Sequence, residues 1–251
     1  MTQYSYPHFP TYNGYLTESI RQQFITQAIA SKHLPENAHR MRHIVSLAAS
    51  NNSDTPIHFW QLFSVLGQDR IVKIVRHFYE LVFADEEWFT SVFARIGGVG
   101  HHVNTQSGLW IDVMGGGLAY HGGEFRLNFH HTHNAMQLMN DKGAERWIAL
   151  MVKTLDDPSI DMTDDARVRP AINTFLTYFL GKYASEFKFS NTGSFGELNP
   201  PVKKKINLFN MTSDAIEALT EDELIEALSA RGIDVSDYKD KSELVNIALR
   251  L

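Results

Sequence analysis

The feature that most constrains the fold is a helical spacing of apolar residues, which runs almost without interruption from residue 55 to residue 189. It is clearest between Asp69 and Phe83, where apolar side chains recur every three or four positions: Ile71, Ile74, Val75, Phe78, Leu81 and Val82. This spacing places them on one face of an α-helix. No segment of the region alternates apolar and polar residues as a half-buried strand does. The sequence therefore predicts an all-α fold.

Glycine and proline divide this region into separate helices. Gly115, Gly116 and Gly117 end one of them. A long helix follows, with apolar positions at Trp147, Leu150, Met151 and Leu155. The last helix is predicted from Thr163 to Phe187, with Pro170 either starting or interrupting it.

The chain outside this region suggests three further segments. Residues 1–54 are predicted to be a partly helical N-terminal extension, with helical patterns near residues 20–29 and 41–48. Residues 190–210, rich in Ser, Gly, Pro and Lys, are predicted to be a linker between the helical domain of residues 55–189 and a C-terminal module of residues 211–251. In that module Thr220 and Glu223 form a capping-box pattern, and Asp240 precedes a second short helix.

Composition narrows the classes of protein that remain. The 251 residues contain no cysteine, so disulfides and thiolate chemistry are excluded. The net charge is −6, and residues 211–251 hold ten acidic and four basic side chains, which accounts for all of it. An acidic module is a poor partner for phosphate backbones, which argues against nucleic acid. No secretory signal or apolar run of about 20 residues is evident, so we expect a soluble protein of the cytoplasm, with an organelle left open and no membrane partner.

Histidines are the most conspicuous candidates for a functional site. They occur as the pair His101 and His102 and as the cluster His130, His131 and His133. A zinc site at the cluster is disfavoured, because no acidic third ligand lies at helical spacing from it.

Three segments resemble, in order and spacing, the truncated globins, and most closely their group II members, which include plant proteins. They are residues 77–89 (HFYELVFADEEWF), Met114-Gly115-Gly116 with Tyr120, and residues 145–151 (ERWIALM). The resemblance covers about residues 57–187. It implies the 2-on-2 helical sandwich of that family and a protohaem IX whose iron is held by a proximal histidine.

By this resemblance the proximal iron ligand is His133, which lies eighteen residues after Gly115. Two departures leave His130 and His131 open as alternatives. Ala135 stands where the family commonly has proline, and the interval from His133 to Trp147 is one residue longer than is usual.

The resemblance also implies the groups on the distal side of the haem. Tyr79 and Trp147 would direct a hydroxyl and an indole N–H at the bound ligand, and Phe93 would pack on the haem edge. His102 and Gln106, four residues apart, would share one face of a helix toward the distal side. His102 could also bind the iron directly and give a six-coordinate resting state.

The resulting functional prediction is a haem globin that reversibly binds O₂ and other diatomics such as NO and CO. The alternatives are a haem-dependent NO dioxygenase or peroxidase, in which His102 transfers a proton, and a cofactor-free helical scaffold. Residues 211–251 resemble SAP-like helix–extended-loop–helix modules, and we expect them to contact a protein partner.

Overall fold

A computed structural model describes residues 8–190, 194–200, 206, 208–238 and 240–251. In these residues the chain is helical and contains no strand, which confirms the all-α prediction; one extended bridge pairs Tyr12 with Gly116. None of the described helices is long and apolar enough to cross a membrane. The α-helices are α1 (Thr17–Ala30), α2 (Arg42–Val45), α3 (Leu62–Phe83), α4 (Glu87–Ala94), α5 (Val99–Val113), α6 (Gly123–Phe129), α7 (Asp141–Asp156), α8 (Val168–Phe187), α9 (Ser213–Glu217), α10 (Glu221–Ser229) and α11 (Lys241–Ala248).

Helix α3 is the centre of the main body and packs on α5, α7, α4 and α8. Its apolar face is buried as the helical spacing predicts, with Ile71, Ile74, Val75, Phe78 and Val82 all almost inaccessible to solvent. The helix is broken at Gly67, whose φ is +67°. A Cβ there would lie 2.7 Å from the ring of Phe9. Glycine is therefore required at this position both by the backbone conformation and by the close approach of Phe9 from the N-terminal extension.

The glycine run ends α5 as predicted, and Gly115 and Gly117 have φ values of +92° and +116°. The last helix begins later than predicted, at Val168 rather than Thr163. Pro170 then falls in the first turn, where a helix does not need the missing N–H, so the proline neither kinks nor interrupts α8.

The N-terminal extension contains the first predicted helix, α1, but the second is much shorter than its pattern indicates. Only Arg42–Val45 is α-helical. The carbonyls of this segment are engaged by side chains from residues 60 and 61: the indole of Trp60 donates to Ile44, and the amide of Gln61 donates to His43 and Ser46. These tertiary hydrogen bonds replace the backbone bonds of a longer helix.

A buried carboxylate fixes the start of α1. Leu16 stands at the N-cap and supplies no side-chain hydrogen bond. Asp112, at the end of α5 and fully buried, instead accepts hydrogen bonds from the backbone N–H groups of Tyr15 (3.0 Å) and Leu16 (3.0 Å) and from Thr17 (3.3 Å). Asp112, 96 positions away in sequence, thus caps the N-terminus of α1 in place of a local side chain.

His58 is a buried, uncharged histidine in the same region. Its ring lies parallel to the indole of Trp60 at 4.7 Å, and its Nδ1 has no hydrogen-bond partner in the part of the chain that the structure describes. Burial, followed by repulsion from His43, lowers the pKa of His58 to about 4. The folded chain therefore resists protonation of a group that the unfolded chain protonates near pH 6.5.

This difference predicts a loss of stability in acid. Between pH 6.5 and pH 4 the unfolded chain binds a proton at His58 more readily than the folded chain does. The free energy of unfolding therefore decreases as the pH is lowered, by up to about 3 kcal/mol from His58. His58→Phe keeps the ring stack and removes the titration. Urea unfolding of both proteins at pH 7.5 and pH 4.5 measures the effect; an equal loss of stability in the variant would contradict it.

Residues 208–251 contain an apolar cluster of their own, separate from the core of the main body: Leu208, Ile216, Leu224, Ala227, Leu228, Leu244 and Ala248. The capping box of Thr220 and Glu223 is confirmed, and Asp240 caps α11 as the sequence indicates. Parts of the predicted linker, residues 191–193, 201–205 and 207, lie outside the described residues. The partner of this module stays a prediction.

Candidate functional site

A large cavity lies between α3, α5, α7, α8 and the turn that follows α6. The cavity volume is about 140 Å³, and the cavity is partly open to solvent. Its wall is mainly apolar and aromatic and includes Phe89, Leu109, Phe175, Phe179, Leu180 and Phe189. A lining of this kind, mainly apolar with a few polar groups, is typical of sites for cofactors and other apolar ligands.

Five of the six predicted site residues line this cavity: Tyr79, Phe93, His102, Gln106 and Trp147. They come from α3, α4, α5 and α7, so the fold brings together side chains up to 68 positions apart in sequence. The sixth, His133, does not line it.

His133, the iron ligand predicted from the resemblance, lies away from the cavity in the structure, and its role stays a prediction. His133 is exposed, its ring stacks on Phe129 at 4.1 Å, and its Nδ1 is 3.1 Å from the Phe129 carbonyl. The reason is local: residues 130–134 form a π-helical turn that continues α6. Residues two positions apart on a helix do not share a face. Because His131 faces the cavity, His133 faces solvent.

The ring of His131 is held in one orientation, as the rings of metal-binding histidines commonly are. Its Nδ1 is 2.8 Å from the Leu127 carbonyl, and its ring packs on Tyr183 at 4.0 Å. Burial, and then repulsion from His130, lowers the pKa of His131 to about 4, so the ring is neutral at pH 7. A neutral ring bonded to a carbonyl carries its proton on Nδ1, which leaves the lone pair on Nε2 available.

His130 also lines the cavity, with its ring 5.1 Å from that of His131. Burial lowers the pKa of His130, and repulsion from His102, Arg126 and His101 lowers it further. No hydrogen bond to a carbonyl orients its ring in the described part of the chain, in contrast to His131.

On another wall of the cavity, His102 is held in a fixed orientation. Its Nε2 is 2.9 Å from the Phe93 carbonyl, and its ring stacks on Tyr79 at 5.1 Å with an interplanar angle of 23°. Burial lowers the pKa of His102, while the Phe93 carbonyl acts in the opposite direction. Both contacts place His102 beside Tyr79 and Phe93.

Three polar groups on the cavity wall have no hydrogen-bond partner among the described residues: the hydroxyl of Tyr79, the indole N–H of Trp147 and the amide of Gln106. Burial raises the pKa of Tyr79, so its hydroxyl stays protonated and can donate a hydrogen bond. Partly buried polar groups without partners in a cavity indicate that a ligand or water forms hydrogen bonds with them.

Trp147 is anchored through its neighbour Arg146. The guanidinium of Arg146 makes a two-point ion pair with Asp85, with Nε 2.6 Å from Oδ2, and this pair joins α7 to the end of α3. Hydrogen bonding to Arg146 lowers the pKa of Asp85, which keeps the buried carboxylate charged. The pair is specific because the planar guanidinium matches both carboxylate oxygens.

Sequence reasoning missed Leu127, Tyr183 and Phe195, which orient His131 and Trp147. The position of Leu127, four residues before His131, is a usable signal, because that spacing places a carbonyl within reach of Nδ1 on one helical turn. Nothing in the sequence indicates the contact between Phe195 and Trp147.

Comparison with known proteins points to the same region. Residues 61–179, slightly under half of the chain, match a family model described as bacterial-like globin. The chain is also similar to two-on-two hemoglobin-3 of Arabidopsis thaliana, with 28% identity over 109 residues, which covers 43% of this chain and 61% of that protein. The match thus spans about three fifths of the relative's length. No solved structure matches. The all-helical structure agrees with the globin-type helical sandwich predicted from sequence.

Proposed function

We propose that the chain binds haem in this cavity, that Nε2 of His131 would hold the iron, and that the iron would bind diatomic molecules such as O₂. The observation that carries the proposal is the state of His131: a neutral imidazole on the cavity wall, with Nδ1 bonded to the Leu127 carbonyl and Nε2 available. Metal-binding histidines are typically held in this way.

The cavity fits a large apolar cofactor. Its aromatic and aliphatic wall suits the two faces of a porphyrin, and the cavity is partly open to solvent, where the polar edge of such a cofactor can lie. The donor set fits too, because a neutral imidazole is the commonest protein ligand to haem iron in globins. Haem supplies the iron at which a diatomic ligand binds; the chain supplies the surroundings.

The distal groups of the proposal are Tyr79, Trp147, Gln106 and His102. The first three offer hydrogen-bond donors that the described chain does not use, and Tyr79 and His102 are stacked together. We propose that these donors hold the ligand and slow its release, each contributing roughly 1 kcal/mol. The proposed role of Phe93 is to pack on the cofactor edge.

One observation favours an enzymatic function as a second candidate. Burial lowers the pKa of His102, so at neutral pH its ring can accept a proton. A peroxidase needs such a base beside the reacting molecule, and an NO dioxygenase needs the same oxygen site. Steady-state peroxide turnover that falls at least tenfold in His102→Leu would favour the peroxidase.

Haem titration of the purified chain tests the leading proposal. Addition of haem is expected to give a Soret band that saturates at one haem per chain, and carbon monoxide is expected to shift the band after reduction. A titration with no saturation point would contradict the proposed function.

Tyr79→Phe is expected to shorten the lifetime of bound O₂. Loss of one hydrogen bond worth about 1 to 1.5 kcal/mol raises the dissociation rate roughly five- to tenfold. Stopped-flow displacement of O₂ measures the rate. Tyr15→Phe is the matched control, because Tyr15 is half exposed and lies outside the cavity. Equal rates in the two variants would exclude a role for the Tyr79 hydroxyl.

A further inference from the structure

A short segment after α8 folds back against the cavity wall. In residues 194–200 the side chain of Phe195 is 2% exposed and meets the indole of Trp147 edge to face, with ring centroids 6.1 Å apart and an interplanar angle of 83°. This segment, here called the strap, lies beyond the residues that match the globin family model.

The strap is fixed to α8 by two hydrogen bonds on the C-terminal side of Phe195. The amide of Asn173 donates to the carbonyl of Glu197 at 3.0 Å, and the N–H of Asn199 donates to the hydroxyl of Thr174 at 2.7 Å. Gly196 has a φ of +107°, and a Cβ there would lie 3.0 Å from the Asn173 amide. Glycine permits the turn that directs Phe195 inward.

Trp147 is consequently held between two rings. Phe78 of α3 lies 5.3 Å from it and Phe195 lies 6.1 Å from it. Trp147 itself is partly exposed and its indole N–H lacks a partner among the described residues. Without Phe195, the indole would lose one of the two aromatic contacts that restrict its rotamer.

We propose that Phe195 is a positioning residue: it holds the indole of Trp147 against the cavity and thereby sets how long a diatomic ligand stays bound. The role in ligand lifetime rests on the proposed haem function; the effect on Trp147 does not. Phe195 acts through Trp147 and does not itself line the cavity.

The positioning effect can be measured without haem. The chain has four tryptophans, so the 5-fluorotryptophan-labelled apoprotein gives four ¹⁹F resonances, and Trp147→Phe assigns one of them. In Phe195→Ala we expect the Trp147 resonance to shift or broaden and the other three to stay in place. Phe195→Leu should give a smaller change, and the three unmoved resonances show that each variant is folded. A Trp147 resonance identical to that of the wild type overturns the proposal.

The effect on ligand lifetime uses the haem-loaded full chain. Phe195→Ala is expected to raise the O₂ dissociation rate roughly three- to tenfold. Phe125→Ala, at a residue 80% exposed, is the matched control and should leave the rate unchanged. In the Trp147→Phe background Phe195→Ala should add little, because both changes act through one side chain. A fully additive double variant overturns the positioning role. Failure of haem to bind overturns the proposed function, while the apoprotein spectra still decide whether Phe195 positions Trp147.

Discussion

His131→Ala is expected to abolish stoichiometric haem binding. The substitution removes Nε2, which we assign as the axial ligand, and leaves an apolar cavity that can hold haem only through its faces. Titration of the variant should give a broad, weak absorbance that does not saturate at one haem per chain. Circular dichroism in the far ultraviolet, unchanged from the wild type, shows that the fold survives.

Two neighbours in the same turn are the controls. His133→Ala should keep the wild-type Soret band, because His133 is exposed and stacks on Phe129 outside the cavity. His130→Ala should bind haem with a shifted spectrum, because His130 lies on the cavity wall beside His131. A Soret band lost in His133→Ala but retained in His131→Ala would overturn the assignment.

Rescue separates loss of the ligand from loss of structure. In His131→Gly, added imidazole can occupy the space of the missing ring and supply the same nitrogen. We expect millimolar imidazole to restore a saturable Soret band in this variant. No recovery, together with a wild-type far-ultraviolet spectrum, would count against His131 as the axial ligand.

The choice between His131 and His133 marks the limit of what spacing can predict. The resemblance to the truncated globins, with eighteen residues after Gly115, favoured His133 and left His130 and His131 open. The chain instead forms a π-helical turn at residues 130–134, which changes the side that each histidine faces. Such a turn depends on backbone hydrogen bonds that side-chain patterns do not record.

Elements with a long helical period were predicted well because the period itself reports burial. Helix α3 buries the face that its spacing indicates, and Tyr79, four residues after Val75 on the same helix, reaches the cavity. The second helix of the N-terminal extension was predicted poorly. The pattern of residues 41–48 is helical, yet the side chains of Trp60 and Gln61 bind the carbonyls that a helix would use. Tertiary contacts of this kind override weak local preferences.

Asp112→Ala is expected to cause the largest loss of stability. The carboxylate is fully buried and accepts hydrogen bonds from the N–H groups of Tyr15, Leu16 and Thr17, so its removal leaves three donors without this partner, two of them buried. Each unsatisfied donor costs about 1 to 3 kcal/mol, which gives a total of at least about 3 kcal/mol. Burial raises the pKa of Asp112, and the backbone donors oppose that shift, so the hydrogen bonds rather than the charge carry the stabilisation.

Urea unfolding followed by tryptophan fluorescence measures this loss, because all four tryptophans lie between residues 60 and 147. Asp112→Asn keeps one acceptor oxygen and should lie between the wild type and Asp112→Ala. Asp164→Ala, at an exposed aspartate, should leave the midpoint unchanged.

The experiment also decides whether the N-terminal extension is part of the cavity-bearing body. Asp112 joins α1 to the end of α5, the helix that carries His102 and Gln106, so a loosened α1 should weaken haem retention together with stability. An unchanged midpoint with only α1 melted would show that the extension folds independently of the site.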